Sequence, residues 1–315
     1  MMPMMLEHTQ GGKSLNAIGA ILIAGPTASG KSALAFELAS RRNGALINTD
    51  SMQVYSDLHV LTARPPFEDA QHIPHFLFGH VDGAVNYSVG HWLEDVARIL
   101  PEIRMSGRVP IFVGGTGLYF KALTQGLSEI PRVPEAIRLK LRAETDGLAP
   151  ALLHARLAAC DPDMAARLRP SDPQRLLRAL EVFAATGQSL ATFQHKKSPP
   201  LLDVDTCEAL FLAPDRGILR ARIETRFDAM LRQGALGEVE RLAARGLDPS
   251  LPVMRAHGVP HLIRHIRGEI SLEAAAMQAI ADTRHYARRQ FTFVRHQLPS
   301  FQMMTPEKTE ALLNA

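Results

Sequence analysis

Short apolar runs punctuate the chain at wide intervals, and helical spacing fills much of what lies between them. Ala17–Ala24 (AIGAILIA) is apolar throughout and stops at Gly25. A glycine-rich turn follows, and from Ser32 to Arg42 the positions Leu34, Ala35, Leu38 and Ala39 fall on one helical face. Ala45–Thr49 (ALINT) reads as a second buried strand ending at Asp50, and Val109–Val113 (VPIFV) as a third that runs into Gly114-Gly115-Thr116-Gly117. Glu208–Leu212 (EALFL), closed by Ala213-Pro214, is a fourth. Short apolar strands alternating with helices indicate an α/β fold with a parallel sheet.

Between Pro131 and Gln194 the strand signals disappear, and the stretch is rich in alanine, leucine and arginine. It reads as a helical insertion, 131–194, within a discontinuous core formed by 18–130 and 195–300, with 1–17 and 301–315 as tails. After Pro214 the pattern is helical again and ends in a basic segment, Thr283–His296.

Composition narrows the class only modestly. Apolar residues at 46% and charged residues at 21% suit an ordinary globular protein of 315 residues. No apolar run approaches the roughly 18 residues that span a bilayer, and the first sixteen residues lack the charged start and apolar stretch of a signal peptide. Two isolated cysteines, Cys160 and Cys207, make neither a disulfide framework nor a zinc site, which points to the cytoplasm. The net charge is only +3, although the pI is near 9.0. Any argument for nucleic-acid binding therefore rests on local charge.

The densest chemistry lies in Gly25-Pro26-Thr27-Ala28-Ser29-Gly30-Lys31-Ser32, which satisfies GxxxxGK[ST] between a strand and a helix. Its glycines let successive backbone N–H groups point at phosphate oxygens, Lys31 adds a point charge, and the Ser32 hydroxyl can hold Mg²⁺. P-loop NTPases normally add an acid at the end of an apolar strand, but here IFV runs straight into Gly-Gly. The available strand-end acid is Asp50, which could face a bound diphosphate as a proton acceptor or serve simply as a turn or cap aspartate.

GPTASGKS, TDSMQVY, VGGTGLYFKAL (Val113–Leu123), DPQRLLRALEV (Asp172–Val182), RIETRF (Arg222–Phe227) and RRQFTFVRH (Arg288–His296) follow one another in this order. Together they resemble the bacterial tRNA dimethylallyltransferases, over about residues 18 to 300. The resemblance implies a P-loop NTPase-like parallel sheet with a helical insertion. It also implies a cytoplasmic, monomeric, Mg²⁺-dependent enzyme with no membrane attachment. Such an enzyme moves a dimethylallyl group from dimethylallyl diphosphate to the exocyclic N6 amine of the adenine at tRNA position 37, in tRNAs that read codons starting with U.

By the matched motifs, Gly25–Ser32 hold the diphosphate, and Asp50, Lys31 and Arg226 are the catalytic group, with Asp50 as base and Arg226 on the diphosphate. The tRNA contacts implied are Asp50, Ser51, Met52 and Gln53; Thr116 and Arg138; Gln174, Arg175, Leu176, Leu177 and Arg178; Arg255, Ala256, His257, Gly258, Val259 and Pro260; and Arg288, Arg289, Gln290, Phe291, Thr292, Phe293, Val294 and Arg295.

Arg175 and Arg178, three apart, share a helix face beginning at Asp172-Pro173. The arginines could instead form a solvated face paired with acids such as Glu181 and Asp282, and the aromatics of 286–293 could be core. The chain departs from the family at Leu61, where GTAKP has glycine, and at Arg255–Pro260, where RxxGYR loses its tyrosine and second arginine. The C-terminal zinc finger of the eukaryotic members has no counterpart here. Three other readings are a small-molecule kinase, a transferase acting on free AMP or ATP, and a non-catalytic RNA-binding protein.

Overall fold

The computed structural model describes residues 19–66 and 72–314, so the expectations for 1–17 and for the start of the first strand lie outside it. Its centre is a six-stranded, wholly parallel sheet of β1 (Ala20–Ala24), β2 (Gly44–Asn48), β3 (His75–Phe76), β4 (Val109–Gly114), β5 (Cys207–Leu212) and β6 (Gln302–Met304). The strand order is β3-β2-β4-β1-β5-β6. The four central strands are those the apolar runs predict. They lack alternation because helices cover both faces of a parallel sheet.

On one face α1 (Lys31–Arg41) packs Leu34, Ala35 and Leu38 against Ile21, Ile23 and Ile111. On the other, α2 (Val89–Met105) and α3 (Gly117–Gln125) bury Trp92, Val96, Tyr119 and Phe120 against Leu22, Ile47 and Phe112. Ser88 opens α2 with a capping box closed by His91.

The helical stretch forms a separate compact unit, Gln125–Pro200. It contains α4 (Glu135–Thr145), α5 (Pro150–Cys160), α6 (Pro162–Arg167), α7 (Pro173–Thr186) and α8 (Leu190–Gln194). These helices close around Leu153, Leu157, Leu176, Leu180 and Val182. Asp172 caps α7 by accepting the Arg175 N–H at 3.2 Å, and Gly187 ends it at φ 67°. The unit is wider than the expected 131–194. The entering and leaving strands of chain bond to each other, Ser198 N–H to Leu127 O at 2.9 Å, and so belong to it.

The remaining helices belong with the sheet: α9 (Arg216–Arg232), α10 (Ala235–Ala244), α11 (Val259–Ile266), α12 (Leu272–Gln297) and α13 (Pro306–Asn314). Residues 301–314 are no tail. Phe301 is buried, β6 pairs with β5, and Leu312 and Leu313 pack toward α1. Two methionines flanked by glutamine carry little strand signal, so only pairing with β5 makes this segment a strand.

Candidate active site

The phosphate-binding loop owes its shape to backbone conformations that its small residues permit. Ala28 at φ 62° and Gly30 at φ 91° are left-handed, and between them the Ser29 N–H donates back to the Pro26 carbonyl at 3.3 Å, closing a tight turn ahead of α1. A Cβ on Gly25 would come within 2.7 Å of the Ser29 hydroxyl oxygen. That hydroxyl is buried and has no hydrogen-bond partner among the described residues. Lys31 folds back so that its ammonium donates to the Pro26 carbonyl at 3.3 Å. Burial lowers its pKa to about 8, Asp50 acting to raise it and Arg226 to lower it further.

Asp50 leaves the end of β2 in a rigid setting. Its N–H donates to Asn48 Oδ1 at 2.8 Å, and Asn48 Nδ2 donates to the Asp50 and Leu77 carbonyls. One carboxylate oxygen accepts the Met52 N–H at 3.0 Å, as a turn aspartate would. The other, Oδ2, has no hydrogen-bond donor among the described residues and lies 3.3 Å from where a Cβ on Gly115 would stand. The oxygen held in the turn is therefore not the one left open toward Gly115.

The glycines after β4 allow this crowding. A Cβ on Gly114 would strike the Thr49 backbone at 2.2 Å, and one on Gly117 the Phe293 ring at 2.4 Å. Gln290 donates to the Gly115 carbonyl at 2.7 Å, tying α12 to the loop.

Two cavities meet here. The larger, about 920 Å³, is walled by Ala28–Ala33 of the loop, with Gln53, His59, Arg64 and Gln233 around it. The smaller, about 200 Å³, has Thr27, Asp50, Ser51 and Met52 on one side. Its other walls carry Leu61, Ile223, Phe227, His257 and Tyr286. Arg226 and Met230 of α9 line both cavities. Burial lowers the Arg226 pKa, with Asp50 opposing. A cationic chamber thus opens beside a mainly apolar one lined by a single carboxylate, Asp50, and by Arg226 and Arg255.

The other predicted residues divide by exposure. Ser51 donates its N–H to Thr116 Oγ1 at 2.9 Å, and the Thr116 hydroxyl donates to Ser51 Oγ at 3.2 Å. Gln53 is nearly buried and donates to the Thr62 and Ala63 carbonyls, so its side chain holds the loop that walls the larger cavity.

Arg255, Pro260, Arg288, Arg289, Thr292 and Arg295 are exposed, and Arg289 lies over the Tyr286 ring at 5.5 Å. Gly258 sits at φ 97°, where a Cβ would come within 3.1 Å of Leu61 and 3.3 Å of Phe227. In the helical unit Gln174 and Arg175 are exposed and Leu177 is partly buried. Arg138 stands near Arg178, and Arg178 lies 3.7 Å from the buried Glu181. Asp282 pairs with His261 at 2.8 Å rather than with an arginine.

Among the expected RNA contacts, the side chains of Leu176, Ala256, Val259 and Val294 are buried in hydrophobic cores, and Gln290 is buried with its amide on the Gly115 carbonyl. Phe291 and Phe293 also pack against the sheet core. The motifs matched by these stretches mark a folded scaffold as much as a surface. Arg64 and Tyr286, both lining the cavities, were not singled out from the sequence as site residues. The arginine of Thr62-Ala63-Arg64-Pro65 was the available signal for the first.

The chain and its fold match a known family over most of their length. Residues 53–297 match the family model described as IPP transferase, and residues 18–75 match Isopentenyl transferase. A tRNA dimethylallyltransferase of Beijerinckia indica is 66% identical over 92% of this chain and 96% of its own length. One from Methylocella silvestris is 64% identical over 93% and 97%.

Among solved structures, the full-length tRNA isopentenylpyrophosphate transferase of Bacillus halodurans aligns with a TM-score of 0.66 at 31% identity, covering 94% of each chain. A eukaryotic dimethylallyltransferase acting on tRNA aligns with a TM-score of 0.73 at 28% identity, over 91% of this chain and 73% of that one. With this coverage, and with the phosphate loop, the strand-end aspartate and the α9 arginine gathered at one site, the chain belongs to the IPP transferase family, the tRNA dimethylallyltransferases.

Proposed function

We propose that the chain transfers a dimethylallyl group from dimethylallyl diphosphate to the N6 amine of the adenine beside the tRNA anticodon, position 37, in tRNAs reading codons that begin with U. The observation that carries this reading is the pair of cavities joined at Arg226, one lined by Lys31 and Arg64 and suited to a polyanion, the other mainly apolar with Asp50 as its one carboxylate. Family membership supplies tRNA as the acceptor.

In the transfer, the N6 lone pair attacks the allylic carbon. The carbon–oxygen bond breaks with its electrons going to the diphosphate, and the amine proton passes to Asp50 Oδ2. Loop N–H groups, Lys31 and Arg226 hold the charge that develops on the leaving diphosphate. Met52, Leu61, Ile223, Phe227 and Met230 wall the allyl group from water. The target base is buried when it reacts, which requires it to leave its stack.

Mg²⁺ suits the loop. Ser29 Oγ is buried with no hydrogen-bond partner among the described residues, and Ser32 is exposed at the first turn of α1. No cluster of three or more His, Cys, Asp or Glu side chains among the described residues is arranged to hold a metal. The Ser32 hydroxyl would therefore share the ion with phosphate oxygens and water, as Mg²⁺ prefers. When bound it would neutralise charge on the diphosphate.

No helix among the described residues is long and apolar enough to cross a membrane. We read the enzyme as a cytoplasmic monomer, since its substrate is tRNA and both cavities are walled by one chain. Labelled dimethylallyl diphosphate offered with tRNA, with AMP, or with ATP and small acceptors tests the assignment. Label must enter tRNA at the adenine beside the anticodon; label in AMP alone would overturn the reading.

A further inference from the structure

α9 and α12 pack through an apolar seam of Leu219, Ile223 and Ala287 with Phe291 against it, and Ile223 also reaches the smaller cavity. A groove of about 560 Å³ runs along this seam, and its lining contains five arginines and no acid. Arg216 and Arg220 stand one turn apart on α9, and Arg284, Arg288 and Arg295 follow steps of four and seven along one face of α12. At 1.5 Å per residue the α12 row is about 16 Å long.

The charge is not spent internally. Arg284 pairs with Glu224, but Arg216, Arg220, Arg288 and Arg295 have no ion-pair partner among the described residues. Neighbouring acids are engaged elsewhere: Asp215 accepts the N–H groups of Gly217 and Ile218, and Asp282 takes His261. In a chain whose net charge is only +3, such a local excess is a directed feature and not an average one.

We propose that this groove is a two-walled track for the sugar-phosphate backbone of the bound RNA, with Arg216 and Arg220 of α9 gripping phosphates from the wall opposite Arg288 and Arg295. The idea rests on the tRNA reading above and extends it to a helix that no matched RNA-contacting stretch includes. Arginine suits the role because its planar fork meets phosphate oxygens two at a time, while the aliphatic stems lie on the apolar seam. Phosphate contacts of this kind fix register and orientation without reading sequence.

The test uses the full chain and one substrate tRNA, with filter binding across a salt series for the parent, Arg216→Ala/Arg220→Ala and Arg216→Glu/Arg220→Glu. Removing one arginine from its phosphate lowers the slope of log K against log salt by about 0.7–0.9. The double alanine variant should therefore flatten the slope by about 1.4–1.8, and the charge-reversed variant should bind more weakly still. Both should keep the parent's thermal midpoint and its upward shift with dimethylallyl diphosphate, because the substituted positions are exposed and outside the diphosphate chamber. Parent slope and affinity in both variants would overturn the track, leaving the groove to an acidic protein partner or to solvent. A parent that prenylates no tRNA would instead sink the functional reading, so the two failures are distinct.

Discussion

Asp50 divides its work between two oxygens, one fixed by the Met52 N–H and the other open toward Gly115. Asp50→Asn preserves the shape and the first hydrogen bond but cannot accept the amine proton. Single-turnover prenyl transfer should fall by about 10²–10⁴, the usual range for a missing general base, with tRNA affinity within a few-fold of the parent. Near-parental turnover by the folded variant would remove Asp50 from proton transfer.

Lys31 makes a second prediction at this scale. Its pKa of about 8 in the free protein lies below the usual 10.5. The ammonium is therefore present below about pH 8 and lost above it, whereas a bound diphosphate favours the charged form. Binding must then take up a proton above pH 8, and the Kd for dimethylallyl diphosphate should rise up to about tenfold per pH unit there. Lys31→Arg, which keeps its charge, should flatten that rise even if it binds less well. A pH-independent Kd between 8 and 10 for the parent would show that Lys31 does not carry the binding charge.

Between elements, the contact of most consequence is buried Glu238 on α10. Its carboxylate accepts the N–H groups of His59, Val60 and Leu61 at 2.5, 3.0 and 2.9 Å. This clamp holds the segment that carries Arg64 beside the larger cavity. Glu238→Ala leaves three donors short of acceptors and should cost on the order of 3 kcal/mol in urea unfolding, with weaker diphosphate binding. A loss under about 1 kcal/mol would show that water replaces the carboxylate freely.

Sequence reading could not see the clamp, because 177 or more residues separate the partners. It did see the GGTG turn, since crowding against Thr49, Gln290 and Phe293 leaves its mark as glycines. It missed β6, where Gln302–Met304 has no apolar run of its own and is a strand only because β5 lies beside it.

Across the whole molecule, two compact units each enclose a core. The chain leaves and re-enters the sheet unit at neighbouring points, since the N–H groups of Leu201 and Leu202 both donate to the Leu123 carbonyl. Residues 126–199 can therefore be replaced by a short glycine-rich linker. The remaining chain should fold and still show a thermal shift with dimethylallyl diphosphate, while its affinity for tRNA drops at least tenfold. Unchanged tRNA affinity would take Arg138, Arg175 and Arg178 out of the interface, and failure to fold would mean that the sheet unit depends on the helical one.

The sequence alone determined the parallel α/β core, the phosphate loop and the candidacy of Asp50. Each is written locally: apolar runs as long as a strand, small residues where the backbone must turn left-handed, and a carboxylate at a strand end. Only the tertiary structure decided which oxygen of Asp50 stays open, which residues of the RNA-associated stretches are buried, and that Arg226 stands between two cavities. It also brought the arginines of α9 and α12 to one groove. Those properties depend on packing between segments far apart in the chain, and neither periodicity nor spacing along the chain encodes such distances.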